Sequence, residues 1–194
     1  MNKESHYPDP VSQLLTLGET KVGEHIDYLE LGFTEEHVPD LIRLVQDDHL
    51  RLLPWDEDGN VPPEVYAQVH AWRTLTQLGA EEAILVFLDI LHQIELDDDD
   101  FVDEEIPRML AEFGQAAIEP SWQYLLDPAQ GLFPRIAAAK TLELIGQKHP
   151  KTRDRCVSAL VSVLGNYARN DRTLNGFLVS YLVELEAREH IDLI

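Results

Sequence analysis

Eight histidines, one cysteine and two acidic runs are the side chains of this 194-residue chain best suited to chemistry. The histidines are His6, His25, His37, His49, His70, His92, His149 and His190. A helical zinc site needs two of them one turn apart with a glutamate beside the first, and no such HExxH run occurs. His70, close to Trp72, reads as a packed, hydrogen-bonded side chain. His149, followed by Pro150, reads as a helix terminator. Cys156 lies near His149, Arg153 and Arg155, whose positive charge would favour a thiolate. It also opens the apolar run Val157, Leu160, Val161 and Leu164, the pattern of a buried structural thiol. One cysteine forms no internal disulfide and no thiolate zinc site by itself. No serine sits in a G-x-S-x-G elbow, and the glycines form no phosphate loop or dinucleotide fingerprint. The sequence therefore assigns no catalytic, cofactor-binding or metal residue, and leans away from an enzyme.

Surface contacts are the remaining chemistry. Asp97 to Glu105 holds seven carboxylates in nine residues. A calcium loop needs alternating acids, a central glycine and a distal glutamate, and that order is missing. The run reads either as a solvated loop capping a helix near Phe101 or as a docking patch for a basic partner. Asp97, Asp98, Asp99 and Asp100 are its candidate partner-binding residues. Asp56-Glu-Asp-Gly-Asn60 also lacks the calcium order and reads as a turn. Trp55, between Pro54 and those acids, either tucks the loop onto the body or anchors a partner. Arg153 and Arg155 are the third candidate contact.

Charge sharpens this choice. The chain has 36 acidic and 15 basic residues, a net charge of −21 and a pI near 4.5. That balance disfavours nucleic acid, whose phosphates need lysine and arginine, and it opposes anionic membranes. Residues 132–173 depart from it, with eight basic side chains against three acidic ones. A polarised surface of this kind suits a charged protein partner. The first ten residues lack the apolar core of a signal peptide, and no apolar run is long enough to span a bilayer. A cytoplasmic location is expected.

The elements that must position these residues are helical throughout. Asp9-Pro10 starts a first helix that Gly18 stops. A second is expected over residues 22–31, burying Ile26, Leu29 and Tyr28 and ending at Gly32. Thr34 caps a third, whose stripe is Leu41, Ile42, Leu44 and Val45. Residues 47–63, with three prolines and an Asp-Gly pair, read as a long loop. Further helices are expected over 64–78, 81–94, 101–113, 116–126, 134–145, 152–164 and 173–187. Short connections between them imply antiparallel neighbours. The whole is read as one domain over residues 1–194, with residues 1–8 a candidate disordered tail.

A short pattern recurs along these helices. Leu75-x-x-Leu78-Gly79, Leu110-x-x-Phe113-Gly114 and Leu142-x-x-Ile145-Gly146 match one another. Tyr28-Leu-Glu-Leu31-Gly32 is looser, and Leu182-x-x-Leu185-Glu186 lacks the glycine. Steps of about 30–47 residues with two helices each point to an α-solenoid. Each glycine is expected to end a helix in the left-handed conformation.

Residues 69–84 and 134–146 carry a further likeness. Small residues Ala71, Ala137 and Ala138 precede Leu-Gly or Ile-Gly, and Pro39 and Pro120 lie near the starts of other helices. In these features the chain resembles the HEAT-repeat superfamily, in its short bacterial form named after phycobilin lyases. The resemblance spans about residues 22–187. It implies a right-handed α-α superhelix of four to five helix pairs and a non-enzymatic scaffold for another protein. The alternative it implies is a lyase-like or chaperone-like factor for a tetrapyrrole or its carrier protein. A HEAT-like nucleic-acid enzyme is a weaker third.

Overall fold

A computed structural model describes residues 7–56, 58–97 and 100–192, apart from the side chains of Asp97 and Asp100. Among the described residues the chain is helical and contains no strand. Among the described residues no helix is long and apolar enough to cross a membrane. Two compact units divide between Val86 and Phe87.

The first unit holds α1 (Val38–Val45), α2 (Asp48–Arg51), α3 (Ala67–Gln77) and the start of α4 (Ala83–Ile90). Thr34 and His37 form the expected cap ahead of α1, with Pro39 in its first turn. Val38, Leu41, Leu44 and Val45 bury one face of α1 against α3. The 47–63 segment is not all loop, because α2 forms inside it and packs on a 3₁₀ turn at Pro63–Tyr66.

α3 is buried nearly all round, polar residues included: Gln68, His70, Arg73 and Thr74 are all inside. These side chains explain the largest departure from the sequence expectation. Residues 22–31 do not form a helix; only a 3₁₀ turn at Leu29–Leu31 is present. The chain there is held instead by α3. The Gln77 amide donates to the Ile26 carbonyl at 2.6 Å and accepts from the Tyr28 N–H at 2.9 Å. Arg73 donates to Thr20 Oγ1 at 2.7 Å and to the Lys21 carbonyl at 2.8 Å. Glu24 accepts from the Thr20 hydroxyl and the Lys21 N–H. Backbone groups bonded this way do not need a helix. Gly18 and Gly23, both at positive φ, break the path further. As a result only Tyr28 of the expected trio is fully buried, while Leu29 is exposed. The first expected helix is likewise a 3₁₀ turn, Val11–Leu15, with Val11 and Leu14 in the core.

The second unit is more regular. It contains α5 (Gln93–Asp97), α6 (Asp100–Glu112), α7 (Gln115–Leu126), α8 (Leu132–Lys148), α9 (Arg153–Leu164) and α10 (Arg172–Glu184). The single helix expected over 81–94 ends early, where the His92 ring bonds the Asp89 carbonyl. α8 is central and touches α5, α6, α7, α9 and α10. A helix surrounded this way needs apolar or small residues around most of its girth. Ile136, Leu142 and Ile145 supply bulk, and Ala137, Ala138 and Ala139 allow close approach. α6 and α10 both lie against α8, and α7 lies against α9.

Gly146 does not stop this helix, contrary to expectation. α8 continues two residues beyond it, to Lys148, and Pro150 follows the end. The residue is small for packing: a Cβ there would meet Leu185 Cδ2 at 2.7 Å and Cys156 Cβ at 3.4 Å. Gly79 does behave as expected. Its φ is +66°, and the Ala80 N–H reaches back to the Leu75 carbonyl at 3.1 Å. Glu186 takes the same role after α10, at φ +52°, with the Ala187 N–H on the Leu182 carbonyl at 3.0 Å. The fifth copy of the pattern therefore keeps the turn without the glycine.

Candidate functional site

Trp55 stands on a closed excursion of the chain. Residues 52–62 leave α2 and return to the Pro63–Tyr66 turn, and α2 packs on that turn. The excursion thus starts and finishes at one place, as compact surface loops do. Asp56 closes its tip. One carboxylate oxygen accepts from the N–H groups of Asp58, at 2.9 Å, and Asn60, at 2.8 Å. The other accepts from the Asn60 side-chain amide at 2.9 Å. The backbone adds Asp56 N–H to Asn60 O and Gly59 N–H to Asp56 O, both 3.0 Å, with Gly59 at φ +82°. These bonds hold the Asp56 carboxyl below its ordinary pKa. Trp55 precedes this clasp with 69% of its surface exposed. The tryptophan is not folded down onto the body. Leu52, three residues earlier, is 66% exposed. Sequence reasoning did not single out Leu52, because an apolar residue carries no sign of which way it faces.

Three members of the basic segment, Arg135, Lys148 and Arg153, and the neighbouring His149 are committed to helix ends. Carbonyls of a helix's last turn lack intrahelical donors and carry partial negative charge. Arg135 Nε donates to Leu125 O at the end of α7, at 2.9 Å. His149 Nε2 is 3.0 Å from Ala111 O at the end of α6, so that nitrogen carries the proton. Its ring also lies where a Cβ on Gly114 would sit, 3.1 Å from Nε2, and Gly114 has φ +55°. Lys148 pairs with Glu112 on the same helix end.

Arg153 is the most engaged of these. Its Nε donates to Leu185 O at 2.8 Å and one Nη to Glu186 O at 3.0 Å. The other Nη reaches Asp154 and Glu189, each at 2.9 Å. The guanidinium thus ties the start of α9 to residues 185–189. The bond from Arg153 holds Glu189 below its ordinary pKa. Arg155, its sequence neighbour, is exposed and makes no ion pair among the described residues. The two arginines therefore differ in what they offer a partner.

The acidic run also divides. Asp98 and Asp99 lie outside the described residues. Asp97 ends α5 and Asp100 begins α6, and only their backbones are described. Of the acids that follow, Glu105 is buried and Asp103 and Glu104 are exposed.

One buried charge of the second unit has its partner on the same helix. Glu143, buried in α8, lies 2.6 Å from Lys140 one turn earlier. Lys140 Nζ is 5.3 Å from the centre of the Tyr181 ring. Burial, with Glu143 and Asp103 nearby, raises the Tyr181 hydroxyl. Cys156 is fully buried, and burial pushes its thiol up to about 11, which removes the thiolate that reactivity needs. In the first unit His70 is packed as expected. Its Nε2 is 2.9 Å from the Gly18 carbonyl and must donate, and its Nδ1 is hydrogen-bonded to the Tyr28 hydroxyl at 2.7 Å. Among the described residues no three His, Cys, Asp or Glu side chains group as metal ligands do.

Compared with family models, with curated proteins and with solved structures, the chain matches none of them.

Proposed function

We propose that this chain is a non-enzymatic scaffold for another protein, built from stacked helix pairs as a right-handed HEAT-like solenoid. The observation that carries the reading is the packing of the second unit. α6, α8 and α10 neighbour one another in that order, and α7 neighbours α9. Alternate helices in contact are what stacked pairs produce. The equivalent turns at Gly79 and Glu186 support the same reading, since they end helices with one hydrogen-bond pattern. Phe177 and Val183 on α10, and Ile191 beyond it, leave apolar surface exposed, as an interaction protein would.

The test begins with the immobilised chain and lysate of its own host. A retained protein is then remade and titrated against the purified chain by calorimetry. A single partner binding one to one, and weakened by Arg155→Glu or Phe177→Ser, supports the scaffold. Arg153 is unsuitable for this purpose because its reversal would open the clasp to residues 185–189. No partner reproduced with purified components removes the reading.

A further inference from the structure

We infer that the Trp55 loop seats a cationic protein partner, one offering an apolar pocket rimmed by lysine and arginine. The inference rests on the scaffold reading and narrows it to one surface and one partner chemistry. Three observations carry it. Trp55 and Leu52 are the exposed large apolar side chains of residues 52–62. The loop's ends are held together and Asp56 bonds Asp58 and Asn60 at its tip, so the tryptophan directly precedes a hydrogen-bonded clasp. A tryptophan presented without further ordering is the kind of group that dominates interfaces. The described acids beside it, Asp56 and Asp58, are both exposed, and no lysine or arginine lies in the sequence from Leu52 to Glu64. These two carboxylates form the acidic edge of the loop.

The sign of the rim selects the occupant. An anionic bilayer would be repelled by it. A second copy of this chain, with a net charge of −21, would be repelled overall at long range. A lysine- and arginine-rich protein surface is complementary, and burying Trp55 would supply the non-ionic part of the binding.

The probe is a tryptophan-free amphipathic helical peptide of leucine and lysine, with a leucine–glutamate peptide of the same pattern beside it. Trp72 is buried and Trp122 half-buried, so a change in exposed-tryptophan emission reports Trp55. The lysine peptide should give a saturable blue shift, and the glutamate peptide none. Calorimetry should show Trp55→Ala binding at least about tenfold more weakly, and Asp58→Lys about threefold more weakly, with Trp122→Phe unchanged. Circular dichroism confirms that each variant is folded. Equal affinity of Trp55→Ala would reduce the effect to net charge and overturn the inference. Absence of binding by the wild-type chain would overturn it too. A Trp55-dependent shift on phosphatidylcholine vesicles, or Trp55-dependent self-association in sedimentation, would assign the loop a different occupant and also overturn it. The scaffold reading is judged separately: a calorimetric partner that binds Trp55→Ala as well as wild type keeps the scaffold and discards this surface.

Discussion

The two units solve the same problem, satisfying backbone polar groups beside a helix, by opposite means. In the first, polar side chains of one buried helix reach out to an irregular strip of chain. His70, Arg73 and Gln77 of α3 bond carbonyls at Gly18, Lys21 and Ile26. In the second, regular helices surround α8, and arginine and histidine close the carbonyl ends that regular helices leave open. A buried polar network is directional and fails locally when one member is lost. An apolar helix stack is less directional, and several of its charged contacts close helix ends. The difference teaches that the same residue types, arginine and histidine, serve as internal stitching in one place and as terminal caps in another.

The sharpest way to break the comparison is His70→Ala. It deletes a buried ring and two hydrogen bonds, and should cost about 3 kcal/mol in urea unfolding. Hydrogen exchange should rise in residues 11–31 while α8 amides keep their protection. Uniform loss of protection would mean that the network is not local. Arg153→Met comes next, at about 2 kcal/mol, since it removes bonds to two carbonyls and two carboxylates. Its exchange signature belongs at residues 185–192, and unchanged protection there would deny the clasp.

Glu95→Ala tests a third end cap, this one acidic. The Glu95 carboxylate accepts from the Phe133 N–H at 3.1 Å, in the first turn of α8. Its oxygens occupy the space that a side chain on Gly131 would need. The loss should be about 1 kcal/mol, with Glu95→Gln smaller. Gly131→Ala should displace the same carboxylate, so the two changes together should cost less than their sum; full additivity would show that they are uncoupled. In the opposite direction, Glu186→Gly should stabilise by roughly 0.5–1 kcal/mol, because φ +52° suits glycine better. A loss of stability would mean that the Glu186 side chain matters more than its backbone.

The smallest effect concerns pH. Glu189 has a folded-state pKa below its ordinary value, so its bond to Arg153 stabilises the fold above that value. The contribution fades as pH falls from about 4.5 through the depressed folded-state pKa. Acid titration of Glu189→Gln should be flatter than wild type in that window, and superimposable curves would exclude the linkage.

Much of the second unit was legible because helical periodicity records burial directly. Leu110, Leu142 and Leu182 of the recurring pattern and Leu160 of the apolar run after Cys156 are all fully buried. The first unit was less so. Residues 22–31 have apolar spacing compatible with a helix, yet side chains some fifty positions away capture their backbone. Periodicity within a window has no access to that. Gly146 failed as a helix stop for a related reason: close approach by Leu185 and Cys156, not a turn, requires the small residue. At the candidate contacts, Trp55 was found from its neighbours alone. Arg153 and Arg155 looked alike in sequence, and only the position of residues 185–189 separates them.

The Glu95 cap has a bearing on the order of events in folding. It joins residues 38 positions apart, on two different helices. The bond can form only after α5 has come to rest at the start of α8. Helix α8 itself assembles from local contacts and needs no such wait. The cap therefore belongs to the late stage, and its free energy resides mainly in the barrier to leaving the native state. Removing it should quicken unfolding while leaving the rate of folding nearly unchanged, so that one surface carboxylate contributes to the longevity of the folded chain more than to its formation.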